Sequence, residues 1–175
     1  SRLATTSGTA FDDTHLSAPT HYYWIRPGNA LGSGPFSSVA LGWRRPTSPG
    51  DFNGDGKADG WYYYQPYGMW YIVPCTGNAY NVRFGWWETE ATPGDYDGDG
   101  SLNLGVYHRA AGIWYLALNT GLYARLFGHP SADPVPADYD GDGFTDLGVY
   151  FSHSGAWYIL RLDGTLLAWN VVWGG

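Results

Sequence analysis

Three stretches of the chain, Met69–Pro74, Ile113–Leu118 and Ala156–Leu162, carry apolar or aromatic side chains at both odd and even positions. In the first, Trp70 and Ile72 alternate with Met69, Tyr71 and Val73. A strand of this kind has to be covered on both sides. Each is preceded by a second β-like run (Gly60–Gln65, Leu102–His108, Asp146–Phe151) and followed by a third (Tyr80–Trp86, Tyr123–Gly128, Leu166–Trp173). The turn signals Gly-Asn, Asn-Thr-Gly and Asp-Gly separate the last two runs. No segment shows a helical period, so the pattern predicts an all-β chain.

The same order of elements returns about every 44 residues. Pro49-Gly50-Asp51 aligns with Pro93-Gly94-Asp95 and Pro136-Ala137-Asp138, and Tyr63 aligns with Tyr107 and Tyr150. Gly68-Met69-Trp70-Tyr71-Ile72 aligns with Gly112-Ile113-Trp114-Tyr115-Leu116 and Gly155-Ala156-Trp157-Tyr158-Ile159. Tandem units of this length, none able to bury its own faces, make a propeller, a solenoid or an array. Strands that need cover on both sides favour blades stacked face to face, and Trp70, Trp114 and Trp157 read as core.

Ahead of each unit stands an acidic loop: Asp51-Phe-Asn-Gly-Asp-Gly-Lys-Ala-Asp59, Asp95-Tyr-Asp-Gly-Asp-Gly-Ser-Leu-Asn103 and Asp138-Tyr-Asp-Gly-Asp-Gly-Phe-Thr-Asp146. Side-chain oxygens fall at positions 1, 3, 5 and 9 and a glycine at 6, the spacing with which a tight loop wraps a hard cation such as Ca²⁺. Position 7 (Lys57, Ser101, Phe144) would add its backbone carbonyl. An EF-hand would place Glu at position 12, where Tyr62, Val106 and Val149 instead begin strands. Asp-Gly is also a plain turn signal. A bare turn, however, needs no acid cluster, and neighbouring carboxylates repel by roughly 1 kcal/mol per pair even when well screened. Up to three calcium ions are expected.

Composition sharpens this reading. In 175 residues the chain has 10 Trp and 15 Tyr, with 14% charged residues, which excludes disorder. The only glutamates are Glu88 and Glu90, and ten of the aspartates lie in the three loops. Three Ca²⁺ would bring the net charge of −7 to about −1, so the acidity belongs to the loops. The basic residues form no stripe, which excludes nucleic acid as a partner. No apolar run reaches membrane-spanning length. The single cysteine, Cys75, cannot form an internal disulfide and reads as a buried or strand-edge residue rather than a nucleophile. Loops without the twelfth-position Glu bind calcium weakly and fill only where it is about millimolar, which places the chain outside cells. The start at Ser1, without Met, suggests a processed or excised piece.

Proline and glycine leading into DYDGDG, then DLGVY, GxWYI and an FG or WGG ending, together resemble the FG-GAP or VCBS type of calcium-loop repeat of large secreted and surface proteins of bacteria; integrin propeller blades carry a related loop. The resemblance covers roughly Pro46 to Gly175. It implies a β-propeller-like calcium module used in adhesion, ligand binding or spacing, not catalysis. The ligands it carries over are Asp51, Asn53, Asp55, Lys57 and Asp59; Asp95, Asp97, Asp99, Ser101 and Asn103; and Asp138, Asp140, Asp142, Phe144 and Asp146. Asn53 and Asn103 replace carboxylates, which should leave the third loop the tightest.

Residues 1–45 differ, and two readings stand. Thr9–Gly32 with Pro35-Phe36-Ser37 resembles the last strands of a fibronectin type III domain. Alternatively it is a degenerate first blade, with Tyr22–Arg26 in the place of Trp70–Val73, making a small four-bladed propeller with residues 46–175. Both ends read as incomplete units whose strand edges pair with each other or with neighbouring chains.

No Ser-His-Asp or zinc spacing occurs among His15, His21, His108, His129 and His153, which read as loop or surface residues, and a paired-carboxylate reaction would have only Glu88 and Glu90 to use. The expectation is a non-catalytic adhesive, scaffolding or assembly module at the cell surface, binding protein, glycan or itself. The aromatic residues Trp86, Trp87, Tyr64 and Tyr67 are candidate platforms for a sugar, and a lectin-like propeller or a filament subunit are the alternatives.

Overall fold

The computed structural model describes residues 50–173. Before them it describes only the backbone pairing of β1 (Thr20–Tyr23) with β4 (Ala40–Trp43) and of β2 (Gly28–Asn29) with β3 (Gly32–Ser33). The fibronectin-like and degenerate-blade readings of residues 1–45 otherwise lie outside the described residues.

The described part is all-β, built from antiparallel sheets. Each acidic loop feeds one of them. After the first loop come β5 (Gly60–Tyr64), β6 (Met69–Val73) and β7 (Tyr80–Arg83). The second sheet is ordered β8 (Thr89–Ala91), β9 (Leu104–His108), β10 (Ile113–Leu118), β11 (Gly121–Leu126). The third runs β12 (Asp133–Pro134), β13 (Leu147–Phe151), β14 (Ala156–Leu160), β15 (Leu166–Val172). In the second and third sheets the acidic loop therefore lies between the short entering strand and the first long strand.

The Gly-x-Trp motif has a backbone explanation. A single 3-10 turn, Arg109–Ala111, links β9 to β10 and ends at Gly112 with φ 66°. That left-handed conformation costs most residues energy, and a Cβ here would also lie 2.7 Å from the Gly128 carbonyl. Two residues on, the Trp114 indole donates to the Phe127 carbonyl at 2.7 Å; Trp70 does the same to Phe84 at 2.9 Å and Trp157 to Trp173 at 3.0 Å. Each tryptophan thus ties the central strand to the end of the outer one.

Consecutive sheets stack. Phe52, Trp70 and Ile72 from the first unit enclose Val106 of the second, with Leu102, Leu104 and Tyr115 around them. Tyr96, Tyr107, Trp114 and Leu116 of the second unit meet Leu147, Val149 and Leu160 of the third. The physical cause is the expected one, apolar side chains on both faces of the central strands.

Cover is nevertheless uneven. Tyr62, Tyr71 and Val73, on the other face of the first sheet, are exposed, so the expectation that every central strand is buried on both sides fails there. Trp157 is half-buried, unlike Trp70 and Trp114, because no further sheet lies over it among the described residues. The described sheets form no closed barrel or propeller. Among the described residues no helix is long and apolar enough to cross a membrane.

Candidate metal centre

The three loops share one hydrogen-bond scheme. The first aspartate accepts from backbone amides four or five and six: Asp51 from Gly54 and Gly56, both at 2.7 Å; Asp95 from Asp99 at 3.1 Å and Gly100 at 3.0 Å; Asp138 from Gly141 at 2.7 Å and Gly143 at 2.8 Å. The ninth residue accepts from the second amide, Asp59 from Phe52, Asn103 from Tyr96 and Asp146 from Tyr139, at 2.8, 2.8 and 2.9 Å. The fifth accepts from the seventh amide, from Lys57, Ser101 or Phe144. These bonds close each turn around the side chains of its first, fifth and ninth residues.

Around this common frame the loops differ. In the second, Asp95, Asp97 and Asp99 bring carboxylate oxygens within 4.8 Å of one another. The Asn119 amide donates to Asp97 Oδ2 at 2.8 Å and its side chain to Asp99 Oδ2 at 2.6 Å. Asp97 Oδ1 is buried and has no hydrogen-bond partner. A buried, unpaired carboxylate oxygen beside two further carboxylates is costly, and an all-oxygen donor set suits a hard divalent cation. Calcium therefore fits the residues of this loop.

The third loop groups Asp138, Asp140 and Asp146 within 4.8 Å. It also holds a cation of its own: the Arg161 guanidinium lies 3.2 Å from Asp140, contacts Asp142 and lies 3.9 Å from Asp163. Burial disfavours the charge on Arg161, but Asp142 and Asp140 outweigh it and raise its pKa. Asp146 is pushed up to about 6, first by burial and then by Asp140, Asp142 and Asp138, against the Tyr139 amide bond that lowers it. The charge count that ranks this loop tightest omits Arg161.

The first loop satisfies itself. Asp59 accepts from the Phe52 and Cys75 amides, at 2.8 and 2.9 Å, and the Asn53 side chain donates to the Thr76 carbonyl at 3.1 Å. Asp55 accepts from the Thr76 hydroxyl and the Cys75 thiol, and the Thr76 bond is the main cause that lowers its pKa. Asp51, Asp55 and Asp59 do not form a carboxylate group like the other two. Cys75 is exposed rather than buried, and partial desolvation by its neighbours, followed by the Asp55 carboxylate, raises its thiol pKa.

Cys75, Thr76, Asn119 and Arg161 were invisible to loop spacing. They sit just after the central strands, some 20 residues from the carboxylates they touch, and only the hairpin brings them back. The turn signal Asn-Thr-Gly at Asn119 marked the place without showing its role.

The seventh residues have a further use. A Cβ on Gly54 would lie 2.7 Å from Ser101 Oγ, and one on Gly98 would lie 2.3 Å from the Phe144 ring. Glycine at position 4 is what lets the next loop come this close.

Elsewhere, Trp87 and Tyr67 are exposed, and Tyr64 lies 5.5 Å from Tyr67 between ring centres. Trp86 instead packs edge-on against His108 and Tyr115, at 5.2 and 5.3 Å, within the stack. A shallow groove of about 480 Å³ runs along Trp61, Tyr62, Gln65 and Glu90. Glu90 is bound by Arg109, which also reaches Asp133 and the Ala132 carbonyl, joining β8 to β12. Glu88 lies 3.7 Å from His108, which is half-buried on β9 rather than in a loop or at the surface. Comparison with protein-family models, curated proteins and solved structures returns no significant match to this chain.

Proposed function

We propose that this chain is an extracellular, non-catalytic, calcium-binding β-repeat module that serves adhesion, scaffolding or assembly, of the FG-GAP or VCBS type that its motifs resemble. The observation that carries the reading is Asp97 Oδ1, buried and unpaired beside Asp95 and Asp99. A bound cation would supply the charge that this carboxylate group lacks and would be held by Asp95, Asp97, Asp99 and Asn103. Because each loop rests on the next, cross-linking its oxygens would stiffen the junction between sheets.

The second loop is the expected primary site, and the third fills once Arg161 is displaced. The first loop, with its carboxylates already engaged by Thr76 and Cys75, is the weakest. Calorimetric titration of calcium into chelator-treated protein tests this. Saturable binding lost in Asp97→Asn supports the reading, and absence of heat at millimolar calcium overturns it.

Exposed Trp87, Tyr67 and Tyr64 favour a second reading, a carbohydrate-binding surface, since sugar rings stack on such side chains. Glycan-array binding that disappears in Trp87→Ala, with the calcium response intact, would establish it.

A further inference from the structure

Equivalent residues of the stacked units differ in burial, and the differences fall at the two ends. Phe52 and Tyr96, the second residues of their loops, are 9% and 2% exposed, whereas Tyr139 is 38% exposed. Trp157, whose ring centre lies 6.4 Å from that of Tyr139 and which pairs with the exposed Val171, is half-buried where Trp70 and Trp114 are fully buried. On the opposite faces, Val106 and Val149 are 0% and 2% exposed, but Tyr62 at the same position is 60% exposed. The stack therefore presents two open apolar faces of the kinds that close its internal junctions.

Backbone bonds follow the same series. The eighth amide of each later loop donates to the first carbonyl of the loop before it, Leu102 to Asp51 at 2.7 Å and Thr145 to Asp95 at 2.8 Å. Among the described residues, the Asp138 carbonyl and the Ala58 amide, the outer members of the series, take part in no such bond. The seats of the seventh residues agree: Gly54 is capped by Ser101 and Gly98 by Phe144, while a Cβ on Gly141 would meet nothing within 4 Å.

The seventh residue of the first loop is Lys57, which is exposed. Continuing the series would set its ammonium over Gly141, beside a loop whose four aspartates outnumber the single charge of Arg161, so that opposite charge is still favoured. We propose that the open face of the third sheet receives the open first-sheet face of a second copy of this chain, head to tail, with Ala58 bonding Asp138 and Lys57 seated on the third loop. Such a contact is heterologous: it does not close on itself, and growth continues until a ring forms or the supply of copies ends. It joins faces rather than strand edges, and a cation bound in the third loop would compete with Lys57 for the same carboxylates.

Sedimentation velocity of the full chain over a wide concentration range is the test. Association is expected, weakened at least tenfold by Tyr62→Asp or by Val171→Asp, and weakened by salt and by Lys57→Glu. An equimolar mixture of the Tyr62→Asp and Val171→Asp chains retains one intact junction and should stop at a dimer. These side chains are exposed, so folding should survive, as circular dichroism would verify; Lys57→Glu serves should either apolar variant unfold. A chain that stays monomeric up to about millimolar concentration overturns the proposal, as does a mixture that fails to dimerise. So does a monomer whose Leu166–Val172 amides are protected from exchange, since a segment of the same chain would then cover that face.

Discussion

The guanidinium of Arg161 stands 3.2 Å from the Asp140 carboxylate and touches Asp142, so the third loop already carries a positive charge from its own sheet. Removing it exchanges a weak internal pair for a better cation site. Arg161→Ala should change the stability of the chelated protein little, since exposed ion pairs contribute little. Calcium affinity at that loop should rise roughly tenfold, about 1.4 kcal/mol. Titration calorimetry of the variant against wild type checks this; an unchanged affinity would mean that Arg161 does not compete.

Asp97→Asn separates the two roles of the second loop. Without calcium it should be neutral or slightly stabilising, because it relieves a buried carboxylate oxygen that has no partner. At calcium a hundredfold above the dissociation constant, wild type should gain about 2.7 kcal/mol from that site, and the variant should gain none of it. Thermal unfolding in chelator and in calcium measures both.

Acidity should act with opposite sign in the two states. Asp146 is pushed up to about 6 from 3.8, chiefly by burial and then by neighbouring carboxylates. In chelator its contribution to stability is fully present below about pH 4 and is lost as pH rises through about 6. Calcium, favouring the carboxylate, removes this loss, and its affinity should fall as pH drops below about 6. The difference in melting temperature between wild type and Asp146→Asn, followed from pH 4 to 7, isolates the group. A flat difference in chelator would exclude the shift.

Trp114 and Trp157 hold the same place in successive sheets but differ in cover. Trp114→Ala should cost about 3–5 kcal/mol, as a fully buried tryptophan does, and leave a cavity against Leu147 and Val149. Trp157→Ala should cost clearly less, because one side of its ring is half open. Equal losses in urea unfolding would contradict the open end of the stack.

Much of this architecture is local and therefore readable from residues alone. The acidic loops, the strands that follow them and the left-handed glycine before each tryptophan arise from neighbours in sequence, and β6, β10 and β14 lie within the predicted stretches. The carboxylates of each loop are likewise assembled by bonds spanning a few residues. What separates one loop from another comes from farther off. Thr76, Asn119 and Arg161 reach the loops only through the following hairpin, so three motifs that look nearly alike become a self-satisfied turn, an acidic group with an unpaired oxygen and a group partly offset by arginine. Burial behaves in the same way: Trp70, Trp114 and Trp157 share one motif, yet among the described residues only the first two have another sheet laid over them, and cover is a property of the neighbour rather than of the residue.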